Sequence, residues 1–172
     1  MLRRIIGAVF SPRRFAAFAC FSAAVLITGC DRGAHPAHIN KPAPMFQISD
    51  GTHSVNLADY RGHVVLLNFW ATWCPPCIEE LPSLLAMQHK MPDIKVIAIS
   101  IDEDDAIYRR FLVDHHVDLL TVRDAEQRAN TLYGSTQYPE TYVIDRNGLI
   151  QRKYIGARDW TSPEMLAYLA QL

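Results

Sequence analysis

Cysteine is scarce in this chain of 172 residues, and the four present are Cys20, Cys30, Cys74 and Cys77. Only Cys74 and Cys77 are closely spaced. A structural zinc site needs about four ligands, and the chain offers no second Cys pair to complete one; nothing in the sequence brings His115-His116 near the first. Nor is there a set of cysteines for a framework of structural disulfides. The apolar stretch from Phe15 to Ile27 has 13 residues, too few for the roughly 20 that cross a bilayer as a helix. Positive charge is also lacking. The formal net charge is −1, and beyond residue 29 there are 13 basic residues against 18 acidic, a net of −5. This balance gives no support for nucleic-acid binding. No internal repeat or low-complexity run appears.

The first 29 residues carry Arg3, Arg4, Arg13 and Arg14 and no acid, followed by that short apolar stretch. This is the layout of a secretory leader. It ends in Leu26-Ile27-Thr28-Gly29-Cys30, which resembles the bacterial lipoprotein box, where cleavage precedes the cysteine and its thiol takes a diacylglyceryl group. Cys20 fits less well, with only five apolar residues after Arg14 and the bulky Phe18 beside the cut. The alternative is an uncleaved signal anchor. Arg13-Arg14 matches a twin-arginine pattern only loosely, so the general secretory route is preferred. Asp31 after the lipidated position resembles a signal for retention on the inner membrane. Residues 30–44, with Gly33, Pro36, Pro42 and Pro44 among small and polar residues, read as a lipid-anchored flexible tether. His35 and His38 within it are expected to be solvated rather than metal-bound. On this reading residues 1–29 are a lipoprotein signal peptide and 45–172 one folded domain.

What remains is one thiol pair, in Trp73-Cys74-Pro75-Pro76-Cys77. It follows the apolar run Val64 to Ala71 and precedes Ile78 to Met87, which has helical periodicity. A buried strand running into a C-x-x-C that opens a helix is the pattern of a dithiol–disulfide redox centre. The helix N-terminus offers unpaired N–H groups and positive dipole charge to Cys74, favouring the thiolate that attacks disulfides. The alternatives are a structural disulfide and a metal-binding pair.

Around the pair, Met45 to Ile48 and His53 to Leu57 flank Asp50-Gly51 as a hairpin. Residues 63–71 form the central strand, and the redox helix runs from Pro75 to Met91, with proline tolerated in its first turn and Pro82 kinking it. Ile94 to Ile101 reads as a strand buried on both faces. A helix follows from Glu103-Asp104-Asp105 to His115-His116. Leu119 to Val122 is a short strand, Asp124 caps a helix ending near Tyr133-Gly134, and Glu140 to Asp145 and Leu149 to Ile155 form a second hairpin. Thr161-Ser162-Pro163-Glu164 offers a capping box for the last helix. The order predicts an α/β fold: a central mixed sheet with helices on both faces and an extra N-terminal hairpin.

The block Phe69-Trp70-Ala71-Thr72-Trp73-Cys74-Pro75-Pro76-Cys77, with Glu80 and Pro82 behind it, resembles the TlpA/ResA-type thioredoxin-like proteins of bacterial cell envelopes. Tyr133-Gly134 and Tyr138-Pro139-Glu140-Thr141-Tyr142-Val143-Ile144-Asp145, with Asn147-Gly148, are similar to the segment carrying the family's cis-proline, in particular in the cytochrome c maturation thioredoxins. The resemblance spans residues 43–172 and implies a thioredoxin-like fold. It makes Cys74 the attacking and Cys77 the resolving thiol, and Pro139 cis, with the Tyr138 backbone placed to pair with a client strand. Glu80 matches an acidic position that manages protons near the pair, against a plainer reading as a complement to the helix dipole. Trp73 reads as rim packing or as a hydrophobic platform for clients. Two departures stand out: Asn68 where thioredoxin has a buried Asp, and Tyr138, bulkier than the usual residue before the proline.

Both insert positions are proline, so neither can donate an N–H to the Cys74 thiolate, and Glu79 and Glu80 oppose its charge. The expectation is therefore a reductant of extracytoplasmic protein disulfides. It needs no cofactor beyond the Cys74–Cys77 pair and no metal, sits lipid-anchored on the periplasmic side of the inner membrane, and is fed by a membrane electron donor of the thiol-relay type. Clients in cytochrome c maturation or copper-site assembly of oxidases fit this reading. The alternatives are an oxidant or isomerase of secreted proteins and a copper chaperone using the pair as ligands. The leader makes its own prediction. Cys30→Ala should release the protein from membranes or leave the leader attached, read by fractionation and mass analysis; cleavage leaving an unmodified Cys30 would end the lipoprotein reading.

Overall fold

A computed structural model describes residues 38–172. The expected leader, Cys30 as the expected lipidation site and all but the end of the expected tether lie outside the described residues. Among the described residues no helix is long and apolar enough to cross a membrane.

The central sheet has five strands: β3 (Val65–Trp70), β4 (Lys95–Ser100), β5 (Leu120–Arg123), β6 (Glu140–Ile144) and β7 (Ile150–Ile155), in the order β5-β4-β3-β6-β7. β3–β4 and β4–β5 are parallel; β3–β6 and β6–β7 are antiparallel. The mixed sheet follows from the connections. Helices α1 (Pro75–Lys90) and α2 (Asp105–Asp114) make the parallel crossovers, while the tight turn at Asn147-Gly148 permits only an antiparallel return. The hairpin β1 (Gln47–Ser49) and β2 (Ser54–Asn56) forms a separate two-stranded sheet. Its turn is held by Asp50, whose Oδ1 accepts N–H groups from Thr52 and His53, both at 2.8 Å.

Alternation along β3 decides what each face meets. Val65, Leu67 and Phe69 join Ile48 and Val55 of the hairpin and Tyr133 of α3 (Arg128–Tyr133) in one apolar cluster. Leu66 faces the other way, toward Leu84 and Met87 of α1, Trp160, and Leu169 of α4 (Pro163–Leu169). Trp70, on that second face, packs against Tyr108 and Phe111 of α2. Two successive crossovers stepping in one direction across the sheet, both right-handed, put α1 and α2 on the same side. Asn68 shares that side, and is the one polar residue in the fully buried strand β3.

Two helix starts differ from expectation. Asp124 accepts the N–H of Ala129 at 2.7 Å, yet α3 begins only at Arg128, after Gln127 in a left-handed conformation (φ 54°). Asp124 thus satisfies a first-turn donor from a preceding turn rather than as the cap residue. At α4 the cap is Ser162, accepting from Met165 N–H at 3.3 Å; Thr161 instead bonds Asp159, so no reciprocal box with Glu164 forms. α1 runs without a break through Pro82.

The loop entering the redox helix is tied to the end of β4 by Asp102, which is only 3% exposed. Its carboxylate accepts from Thr72 Oγ1 at 2.7 Å, from Thr72 N–H at 3.1 Å and from Ser100 Oγ at 2.6 Å. Asp102→Ala strands these donors and should lower unfolding stability by about 1–3 kcal/mol, measured by urea denaturation, with Asp102→Asn falling between it and the wild type.

Candidate active site

Cys74 is the N-cap of α1, in an extended conformation, and forms a disulfide with Cys77 one turn into the helix. Both are buried, at 5% and 3% exposure. Cys74 Sγ accepts the Cys77 N–H at 3.3 Å. Pro75 and Pro76 carry no N–H, so this is the first backbone donor the helix can turn toward the sulfur.

Glu80 lies one turn beyond Cys77 and is 4% exposed. Oε1 accepts from Asn68 Nδ2 at 2.8 Å. Oε2 accepts from the backbone N–H of Arg158 at 3.1 Å and from Trp160 Nε1 at 3.2 Å. Asn68 Nδ2 also donates to Thr141 Oγ1 at 2.9 Å, tying β3 to β6 at the same point. Loss of solvent outweighs these three donors and pushes the Glu80 carboxyl up from 4.5 to about 7. A cavity of about 10 Å³, lined by Asn68, Trp70, Cys77 and Glu80 among others, has room for about one water molecule. The arrangement places a group able to hold or release a proton at neutral pH beside the inner thiol of the pair.

The third wall is the turn before β6. The Tyr138–Pro139 peptide is cis. Pro139 C=O accepts the Gly156 N–H at 2.9 Å, whereas the backbone N–H and C=O of Tyr138 make no hydrogen bond among the described residues. The Tyr138 ring packs against the cluster holding both cysteines and meets Trp73 edge-to-face, with centroids 6.3 Å apart. Trp73 itself is 62% exposed. The fold therefore brings Trp73, Cys74, Cys77, Glu80, Tyr138 and Pro139 to one place.

Three contributors were missed in the sequence. Arg158 and Trp160 stand about 80 positions from Glu80 and act through one backbone N–H and one indole N–H, for which no local pattern exists. Asp102 had a faint signal, an acid ending an apolar strand. Behind the proline, Glu140 Oε1 lies 2.5 Å from Lys153 Nζ, both side chains 1% exposed. The contact is ionic rather than an aligned hydrogen bond, and Glu140 Oε2 has no hydrogen-bond partner among the described residues.

Residues 39–153 match the model of the AhpC/TSA family. The thiol-disulfide oxidoreductase ResA of Bacillus thuringiensis (strain Al Hakam) is 31% identical over 137 residues, 78% of each chain. The thiol:disulfide interchange protein DsbE of Pseudomonas aeruginosa is 33% identical over 127 residues, 72% of this chain and 69% of its own. Among solved structures, a thiol:disulfide interchange protein of the thioredoxin family from Chlorobium tepidum superposes with a TM-score of 0.65 at 25% identity, covering 75% of this chain and 94% of that one.

The Glu80 geometry fixes a pH dependence. A carboxyl titrating near 7 when folded and near 4.5 when unfolded keeps its proton in the native state between those values. Stability therefore falls as pH rises through that window, by on the order of 3 kcal/mol, and is level below it. In the disulfide form, Glu80→Gln should flatten this part of the urea-midpoint-against-pH curve. Parallel curves for the two proteins would mean that Glu80 titrates as an ordinary carboxylate.

Proposed function

The chain belongs to the AhpC/TSA family and is a thiol-disulfide oxidoreductase of the thioredoxin-like ResA/DsbE type, and from that premise we propose that it works as a reductant of particular protein disulfides in the cell envelope. The observation that carries the direction is the donor-poor environment of Cys74: two prolines in the insert and a single N–H on its sulfur. Strong oxidants owe their potential to a well-stabilised thiolate in the reduced form. Here that stabilisation is small, and a buried carboxyl close to the pair opposes it further.

In the proposed cycle the reduced pair meets a client disulfide. The Cys74 thiolate attacks one client sulfur; the S–S bond breaks, and the departing client thiolate takes up a proton. Glu80, as carboxylate, accepts the proton of the Cys77 thiol. The Cys77 thiolate then attacks Cys74 Sγ, the mixed disulfide breaks, and the second client sulfur leaves and is protonated. Two electrons pass to the client, and the Cys74–Cys77 disulfide remains. Tyr138 offers its free backbone N–H and C=O to the client strand beside Pro139, and Trp73 offers an apolar surface. The pair is returned to the dithiol by a membrane electron donor of the thiol-relay type. Cys30 as a lipid anchor holds the domain on the periplasmic side of the inner membrane, and the clients are apocytochrome c or the copper-site proteins of oxidases.

Equilibration against glutathione should place the wild-type potential nearer about −270 mV than about −120 mV. Pro76→His restores one N–H and adds a partly cationic ring, so it should lower the Cys74 pKa and make the pair more oxidising. A wild-type value near −120 mV would replace the reductant reading with that of an oxidant.

A further inference from the structure

Asn130 is a buried amide that the redox cycle above does not use. It sits on α3, 5% exposed, and its Oδ1 has no hydrogen-bond partner among the described residues. Burying an amide with an unmet acceptor is unfavourable, and an apolar residue would fill the space at lower cost. What Asn130 does supply is one short side-chain bond, from Nδ2 to Tyr138 Oη at 2.8 Å, and a longer one to Ser135 C=O at 3.4 Å. The Tyr138 hydroxyl in turn donates to Ser135 C=O at 3.3 Å. The frame holding Asn130 is closed as well: its own C=O accepts the Ser135 N–H at 2.8 Å as α3 ends at Gly134. The hydroxyl end of Tyr138 is thus pinned from two sides, while its ring stands between the cysteine cluster and the exposed Trp73.

We propose that Asn130 is a positioning residue for client recognition: by fixing Tyr138 it holds Tyr138 and Trp73 edge-to-face as one aromatic surface beside the disulfide, which selects client segments carrying a large apolar or aromatic side chain next to the attacked cysteine. The occupant is an extended polypeptide because the Tyr138 backbone N–H and C=O beside that surface are unpaired among the described residues. It is apolar at that position because the surface is made of two rings and Trp73 leaves 62% of its own area uncovered. A ring held at its far end loses little freedom when the client docks, which is the advantage of the Asn130 bond over a freely rotating ring. The inference rests on the thiol-exchange reading but not on its direction.

The test is single-turnover exchange with two disulfide peptides that differ only in having Phe or Gly beside the reactive cysteine, and with glutathione disulfide, which has no large apolar side chain beside its cysteine. Wild type, Tyr138→Phe and Asn130→Ala are compared. Tyr138→Phe keeps the ring and removes only the hydroxyl, so it tests the pinning even if Asn130→Ala folds poorly. The wild type should prefer the Phe peptide. Each variant should lose roughly three- to tenfold of that preference, mainly through weaker saturation with the Phe peptide, and exchange with glutathione disulfide should change less than exchange with the Phe peptide. A wild type with no preference, variants that keep it, or an equal fall with all three substrates would overturn the proposal. A wild type that exchanges with none of them would remove the thiol-exchange reading, and this one with it.

Discussion

A single buried carboxyl joins the parts of this domain that matter for its chemistry. Glu80 belongs to the redox helix; its hydrogen-bond donors come from the central strand β3, through Asn68, and from the segment before α4, through Arg158 and Trp160. Two consecutive elements and a segment about 80 positions away are therefore referenced to one side chain, one turn from Cys77. Its energetics are a near balance. Leaving water favours the neutral acid and three N–H groups favour the anion; the first effect wins by enough to bring the carboxyl to about 7. More donors would move it toward the anion and fewer toward the neutral acid. Near balance it can do both at neutral pH, as a proton acceptor for a buried thiol requires.

The same carboxyl bears on the outer sulfur. Cys74 has the N-cap position, which faces the N–H groups of the second and third helical residues, but proline at the second leaves it only the Cys77 N–H. Dipole and donor shortage therefore act in opposite directions on one atom, and an acid close by sides with the shortage. The remaining wall, Tyr138 with Trp73, is neutral and contributes shape rather than charge. In the proposed cycle the labour divides accordingly: the helix start sets reactivity, Glu80 takes the proton, and the aromatic pair meets the client.

Much of this was legible in the residues. Strand–CxxC–helix and both hairpins follow from apolar periodicity and turn residues because each is encoded in neighbouring positions, and the mixed sheet follows from the order in which those units are connected. Glu80 was visible through the family resemblance, beside its plainer reading as a complement to the helix dipole. Its burial and its partners were not, since burial depends on α4 and the 158–160 segment closing over it. The reading of Asn68 was half complete: that it cannot accept a proton is plain from its chemistry, whereas its use as the donor that orients Glu80 required the register of β3 against α1. The caps at Ser162 and Gln127 were missed by one to three residues because Asx and Ser/Thr turns compete with capping for the same side chains.

The account stands or falls on the ionisation of Glu80. The direct measurement is a carbon-13 NMR titration of its side-chain carboxyl in the disulfide and dithiol forms. The account predicts a midpoint of about 7 in the disulfide form. On reduction the single step should become part of a coupled titration with the newly formed Cys77 thiol. A midpoint in the ordinary carboxylate range, the same in both redox states, would contradict it.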